Sequence, residues 1–249
     1  MNIIEIKNMT HRFVDGTVGL DGINLSICEG EFIVIGGQNG SGKTTLLKHL
    51  NGLLLPTQGT VLLEGLEVSR HIKKARQMVG MVFQNADSQI VGETVYADVA
   101  FGPENFCLDR QEIDKRVSTA LVSVDLTQHA DKSPHLLSGG EKRRLSIAGI
   151  LAMEPKIIVF DEPFSSLDYP GVRQVLKQIV SLHHSGHTII VTTHDIEKVI
   201  AHANRLLIMQ DGKVARDGVP AEIMRDAEMF GVKMPCATRL GMEVVSWLS

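Results

Sequence analysis

One stretch restricts this chain more than any other. Gly37-Gln-Asn-Gly-Ser-Gly42-Lys43-Thr44 has the spacing G-x-x-x-x-G-K-[ST], and it stands between an apolar run, Phe32–Ile35, and a helix-forming run, Thr45–Leu50. A strand that ends in a glycine-rich turn and then enters a helix presents backbone N–H groups and the positive end of the helix dipole to an anion. Lys43 adds a cation that can reach β- and γ-phosphates, and Thr44 adds a hydroxyl for Mg²⁺. The candidate nucleotide contacts are Gly37, Asn39, Gly40, Ser41, Gly42, Lys43, Thr44 and Thr45, and the implied ligand is a nucleoside triphosphate, ATP with Mg²⁺.

The rest of the chain supplies the setting for such a loop. Phe32–Ile35, Ile157–Phe160 and Ile189–Thr192 are apolar on consecutive positions, as strands buried on both faces are, which predicts a parallel core sheet. Ile3–Ile6, Gly22–Ile27 and Val61–Leu63 alternate more loosely and are joined by Asp/Gly turns, as half-exposed antiparallel strands would be. Between Ala86 and Ser133 the strand pattern stops. There Asp109-x-x-Glu112 reads as a capping box opening a helix through Ile113, Val117, Ala120, Leu121 and Val124. Leu206–Met209 and Lys213–Ala215 flank Asp211-Gly212 as a hairpin, and Pro220 opens a short amphipathic helix.

Two further motifs bear chemistry. Asp161-Glu162 follows the run Ile157–Phe160, so both carboxylates fall at the C-terminal, ligand-facing end of a core strand. Asp161 suits the Mg²⁺ shell, and Glu162 suits activation of a water attacking in line with a γ-phosphate. Leu137-Ser-Gly-Gly-Glu141 combines an S-x-x-E capping box with glycines at a helix N-terminus, a second anion site.

With these motifs in this order, the chain resembles the ATP-binding cassette (ABC) ATPases, whose signature is LSGG followed by a polar residue. The resemblance runs roughly from Ile3 to Leu240. It implies an α/β P-loop NTPase fold with a mixed RecA-like core (1–84 and 154–225), an N-terminal antiparallel β-subdomain, an inserted helical subdomain (85–153) and a short tail (226–249). It also implies that Ser138, Gly139, Gly140 and Glu141 of one subunit close over nucleotide held by another. Gln84 then resembles the glutamine that senses Mg²⁺, Asp168 the D-loop residue, His194 the switch histidine, and Phe13 the aromatic that stacks on adenine. Gln38 stands where the family commonly has proline, Thr44 where it has serine, and Phe164-Ser165-Ser166 replaces a Thr-containing run. Because Lys43, Gln84, Ser138, Asp161, Glu162 and His194 are all present, two copies suffice for two complete sites, and a heterodimer with a related ATPase is the other arrangement.

Asn85–Ile90, Thr94–Asn105 and Gly231–Leu240 are similar to the energy-coupling factor (ECF) branch, ATPases that drive uptake of cobalt, nickel, biotin and other vitamins. That similarity implies a transmembrane coupling subunit and a membrane substrate-binding subunit as partners. Gly92, Gly102 and Pro103 are expected to break their segment into short elements that shape a docking groove. The composition agrees with this class: 25 Lys+Arg against 29 Asp+Glu, and only 4% aromatics, argue against a nucleic-acid binder. Coiled-coil arms and zinc inserts, marks of soluble ABC ATPases acting on nucleic acids, are missing from the pattern. Cys28, Cys107 and Cys236 form no C-x-x-C pair, as expected of a reducing cytosol. No apolar stretch approaches the ~20 residues of a membrane-spanning helix, so attachment to the cytoplasmic face of the membrane is expected through partners.

Overall fold

A computed structural model describes residues 1–249. In chain order the elements are β1 (Asn2–Arg12), β2 (Val18–Cys28), β3 (Phe32–Gly36), α1 (Lys43–Leu50), β4 (Gln58–Leu63), β5 (Leu66–Glu67), α2 (Ile72–Met78) and β6 (Val79–Val82). Three helices follow: α3 (Val95–Asn105), α4 (Arg110–Ser123) and α5 (Gly139–Leu151). The remainder is β7 (Ile157–Asp161), α6 (Tyr169–His184), β8 (Thr188–Thr193), β9 (Arg205–Gln210), β10 (Lys213–Gly218), α7 (Pro220–Ile223) and α8 (Cys236–Arg239).

The apolar runs become the inner strands of a six-stranded sheet ordered β10-β9-β3-β8-β7-β6, and every residue of β3, β7 and β8 is buried. Pairing is parallel from β9 across to β6, and antiparallel only between β9 and β10. Alternation along β3 divides the core: Phe32 and Val34 pack with α3–α6 on one face, whereas Ile33 and Ile35 pack with α1 and the second sheet on the other. Each such side chain contributes about 1.5–3 kcal/mol by leaving water, and β3 carries no polar side chain. The second sheet is antiparallel, ordered β2-β1-β4-β5.

This topology delivers four loops to one edge. The turns after β3, β6, β7 and β8 all leave the C-terminal ends of parallel strands, where ligands bind in open α/β sheets. At the same edge, where β9 also ends, Asp211 and Gly212 both take positive φ (49° and 73°) in a two-residue hairpin turn. Gly212 N–H donates to Ser41 O (3.1 Å) and Gly212 O accepts from Asp21 N–H (2.9 Å), so the hairpin ties the loop after β3 to the antiparallel sheet.

Three sequence expectations need correction. Helix α1 begins at Lys43, not Thr45, because Gly42 in a left-handed conformation (φ 102°) sets its N-terminus. The Asp109 box is half made: Asp109 accepts from Glu112 N–H (3.0 Å), but the Glu112 carboxylate turns instead to Arg116 (2.6 Å). Gly102 and Pro103 do not break their segment. Both lie in the last turn of α3, where Gly102 provides room for Met153 and the helix ends two residues after the proline. β1 and β2 also run well beyond their alternating cores, through bulges that let Thr10 and His11 be buried.

Candidate functional site

The loop after β3 is shaped by glycines that admit no side chain. A Cβ on Gly37 would meet Met209 O at 2.5 Å, and one on Gly42 would meet Gly19 O at 2.9 Å. Within this turn Lys43 is buried, with its ammonium donating to Gly37 O (2.7 Å) and Gln38 O (3.0 Å) and standing 3.9 Å from Glu162 Oε1. Burial pulls the Lys43 pKa down, against the attraction of Glu162 and Asp161. The two carboxylates offset part of that burial cost, while the carbonyls of Gly37 and Gln38 aim the ammonium at the loop.

Asp161 ends β7 with both oxygens in use. Thr44 Oγ1 lies 3.0 and 2.8 Å from its two carboxylate oxygens, and Thr192 Oγ1 donates to Oδ1 at 2.7 Å. Next along, Glu162 takes φ 47°, a left-handed conformation costing a non-glycine residue about 1–2 kcal/mol. That conformation turns its side chain toward Lys43, while its N–H bonds back to Thr192 O (3.1 Å). His194 Nδ1 meets Glu162 Oε2 at 3.0 Å, with the imidazole largely exposed. The other oxygen, Oε1, is buried with no hydrogen-bond partner, as is Ser41 Oγ. Two orphaned polar atoms beside a lysine, a hydroxyl and an aspartate fit a triphosphate with a divalent cation: they are unmet acceptor and donor capacity where phosphate, cation and water would sit.

The signature segment is built differently. Ser138 caps α5 in a full capping box: Glu141 Oε2 accepts from Ser138 N–H (2.7 Å) and Oγ–H (2.6 Å), and Ser138 Oγ accepts from Glu141 N–H (3.3 Å). These bonds, with His129 at 3.1 Å, hold the Glu141 carboxyl below its ordinary pKa. A Cβ on Gly139 or Gly140 would meet nothing, so this turn faces open space. No hydrogen bond or ion pair joins it to the loop after β3.

The ABC transporter model matches residues 20–165, spanning both the phosphate loop and the signature. The chain belongs to the ABC transporter family. It is similar to the energy-coupling factor transporter ATP-binding protein EcfA of Methanocaldococcus jannaschii, with 45% identity over 231 residues covering 92% of this chain and 83% of the relative. Among solved structures it is similar to CbiO1 of Clostridium perfringens, described as part of the ABC transporter complex CbiONQ (TM-score 0.81, 37% identity, 96% of this chain and 97% of that one). It is also similar to a dimeric ATP-binding cassette in a post-hydrolysis state with ADP and phosphate (TM-score 0.78, 31% identity, 87% and 98%). The chain thus has the ABC ATPase fold, binds ATP and is an ATP-hydrolysing enzyme.

The remaining expected residues of this ABC ATPase lie around the cluster without joining it. Gln84 is exposed and its side chain makes no hydrogen bond. Asp168 caps α6 by accepting from Gly171 N–H (2.9 Å). The half-exposed Phe13 ring lies against Gly19, where a Cβ would be 2.6 Å away, and Gly19 O in turn touches Gly42. No helix is long and apolar enough to cross a membrane. Two functional neighbours escaped the sequence reading. Thr192 anchors Asp161, but looks like one more β-branched strand residue. Arg143 is buried and donates to Phe83 O (2.5 Å) and Gln84 O (2.6 Å), clamping the glutamine's loop to the signature helix. Its signal was a charge falling on the core face of α5, in line with Ile147 and Ile150.

Proposed function

We propose that this chain is the energy-coupling ATPase subunit of an ECF-type importer that takes up a cobalt or nickel ion or a vitamin such as biotin. The observation that carries this reading is the contrast between a phosphate loop, Asp161, Glu162 and His194 gathered in one chain and a signature turn that opens to space with no bond to them. The names of the EcfA and CbiO1 relatives support the importer assignment.

In this reading Lys43, Thr45 and the backbone from Gly37 through Thr44, with Asn39 and Ser41, hold the triphosphate, while Phe13 stacks on the base. Thr44, Asp161 and Gln84 hold Mg²⁺, which supplies charge neutralisation at the transferred phosphate. Glu162 Oε1 accepts the proton of the attacking water, and His194 orients that carboxylate through Oε2. Ser138, Gly139 and Gly140 of a second copy, or of a related ATPase, complete the site across a dimer in which Asp168 lies near the interface. Closure and reopening of that dimer move membrane subunits docked near Gln84 and Val91–Asn105. The protein thus acts at the cytoplasmic face, held there by a coupling subunit and a substrate-binding subunit, without nucleic acid.

The test is affinity purification of the tagged chain from gently solubilised native membranes, with mass spectrometry of what accompanies it. Recovery of a transmembrane coupling protein and a small substrate-binding membrane protein is the expected result, and the latter's ligand names the cargo. Recovery of only soluble partners or nucleic acid overturns the transport reading and leaves the ATPase standing.

A further inference from the structure

The C-terminal segment passes behind the nucleotide loops and touches three of them. Gly231, at φ 69°, ends the turn Met224–Phe230, and the Gln38 side chain lies directly on it: a Cβ there would stand 1.8 Å from Gln38 Nε2. The next residue, Val232, is buried against Gly36 and Ile196. Further on, Cys236 N–H donates to Glu197 Oε1 (3.3 Å), three residues past His194. Finally Trp247 packs on Tyr169 (ring centroids 5.5 Å apart), and Arg173 donates to Leu248 O (3.3 Å), at the start of the helix that Asp168 caps.

Of these contacts, the one at Gln38 leads straight to the chemistry. The Gln38 carbonyl accepts both the Lys43 ammonium (3.0 Å) and the Ser41 N–H (3.2 Å). Its backbone therefore sets where the lysine and the loop amides point. The side chain is exposed to solvent, has no hydrogen-bond partner, and rests on a glycine that leaves no space for anything larger. A glutamine, unlike a proline, leaves φ free, so the residue's own covalent geometry does not fix this carbonyl.

We propose that Gln38 is a positioning residue of the nucleotide loop, and that the C-terminal segment at Gly231 is the surface that holds it. This rests on the reading of Gly37–Thr44 as the nucleotide loop, so Lys43→Ala is the control: if it binds a fluorescent ATP analogue as the unmutated chain does, the loop reading itself fails.

The experiment compares Gln38→Ala, Gly231→Ala and the double variant by titration with that analogue and by steady-state ATPase, with melting temperature as a check on folding. Gly231→Ala puts a methyl where the flexible Gln38 side chain lies and turns it off the tail; it is expected to weaken nucleotide binding about threefold and to raise KM with kcat changed less than about twofold. Gln38→Ala removes the same contact and is expected to weaken binding about threefold at unchanged melting temperature. The double variant should bind no more weakly than Gln38→Ala, because both changes remove one contact. If the two losses multiply, the left-handed strain at Gly231 acts on its own and the proposal is overturned. If Gly231→Ala does not fold, Gln38→Ala alone decides: unchanged affinity overturns the proposal.

Discussion

Two helices of this ATPase offer their N-termini to anions, and the chain treats them oppositely. The first turn of α1 has no acidic residue, its lysine is buried, and the polar atoms around it are left partly unmet. The first turn of α5 has Glu141, whose carboxylate already occupies the Ser138 N–H and hydroxyl. One anion site is open and the other is filled by the chain's own charge. The difference teaches that the two helix N-termini stand at different stages of readiness for an anion. The phosphate loop keeps unmet polar capacity as folded, whereas in the proposed dimer Glu141 would have to release Ser138 before an incoming nucleotide could be held there.

The sharpest way to break this comparison is at Glu162. Glu162→Gln keeps the shape of the cluster and removes the base, so phosphate release is expected to fall about 10³-fold with nucleotide affinity retained; turnover near the unmutated rate would remove Glu162 from its role. At α5, Ser138→Arg is expected to lower cooperative turnover about 10²-fold while the same titration with nucleotide analogue remains unchanged. Sigmoidal kinetics surviving in that variant would show that α5 takes no part in the site. Glu141→Gln has the smallest effect. Gln can still close the capping box, so stability should change by under about 1 kcal/mol, while loss of the competing charge lowers the KM for ATP about threefold; an unchanged KM would show that Glu141 does not compete.

The same residue gives a pH test. Because folding depresses the Glu141 pKa, its contribution to stability is fully present above the ordinary carboxylate range and is lost as pH falls through the lowered, folded-state value. Urea midpoints measured across that acid range should therefore fall less steeply for Glu141→Gln than for the unmutated chain. Parallel slopes would mean that the box adds nothing to acid stability.

What could be read from the sequence follows from how local each signal is. Phe32–Ile35 and Ile157–Phe160 are buried on both faces and say so by their composition alone, and the phosphate loop between β3 and α1 is a contiguous motif. Glu162 was legible as a residue type at a strand end, but its left-handed backbone and its approach to Lys43 depend on β8 lying alongside. Gly102 and Pro103 misled because their weight as breakers is local, whereas α3 is held by packing on α4 and α5 and by the Thr94 cap. The partners of Arg143 and the Gln38–Gly231 contact were invisible for the same reason: each joins segments far apart in the chain, and no short pattern encodes the pairing.

The strand order has a consequence in time. β3 pairs only with β8 and β9, and about 150 residues separate its end from the start of β8, so on a ribosome adding about 5–20 residues per second it waits roughly 8–30 s for a first neighbour. Gly212, which fastens Ser41, emerges later still, and Gly231 after that. The most recognisable motif of the chain is thus among the last to take its working shape during synthesis, and a half-made chain has no assembled phosphate loop with which to capture a nucleotide.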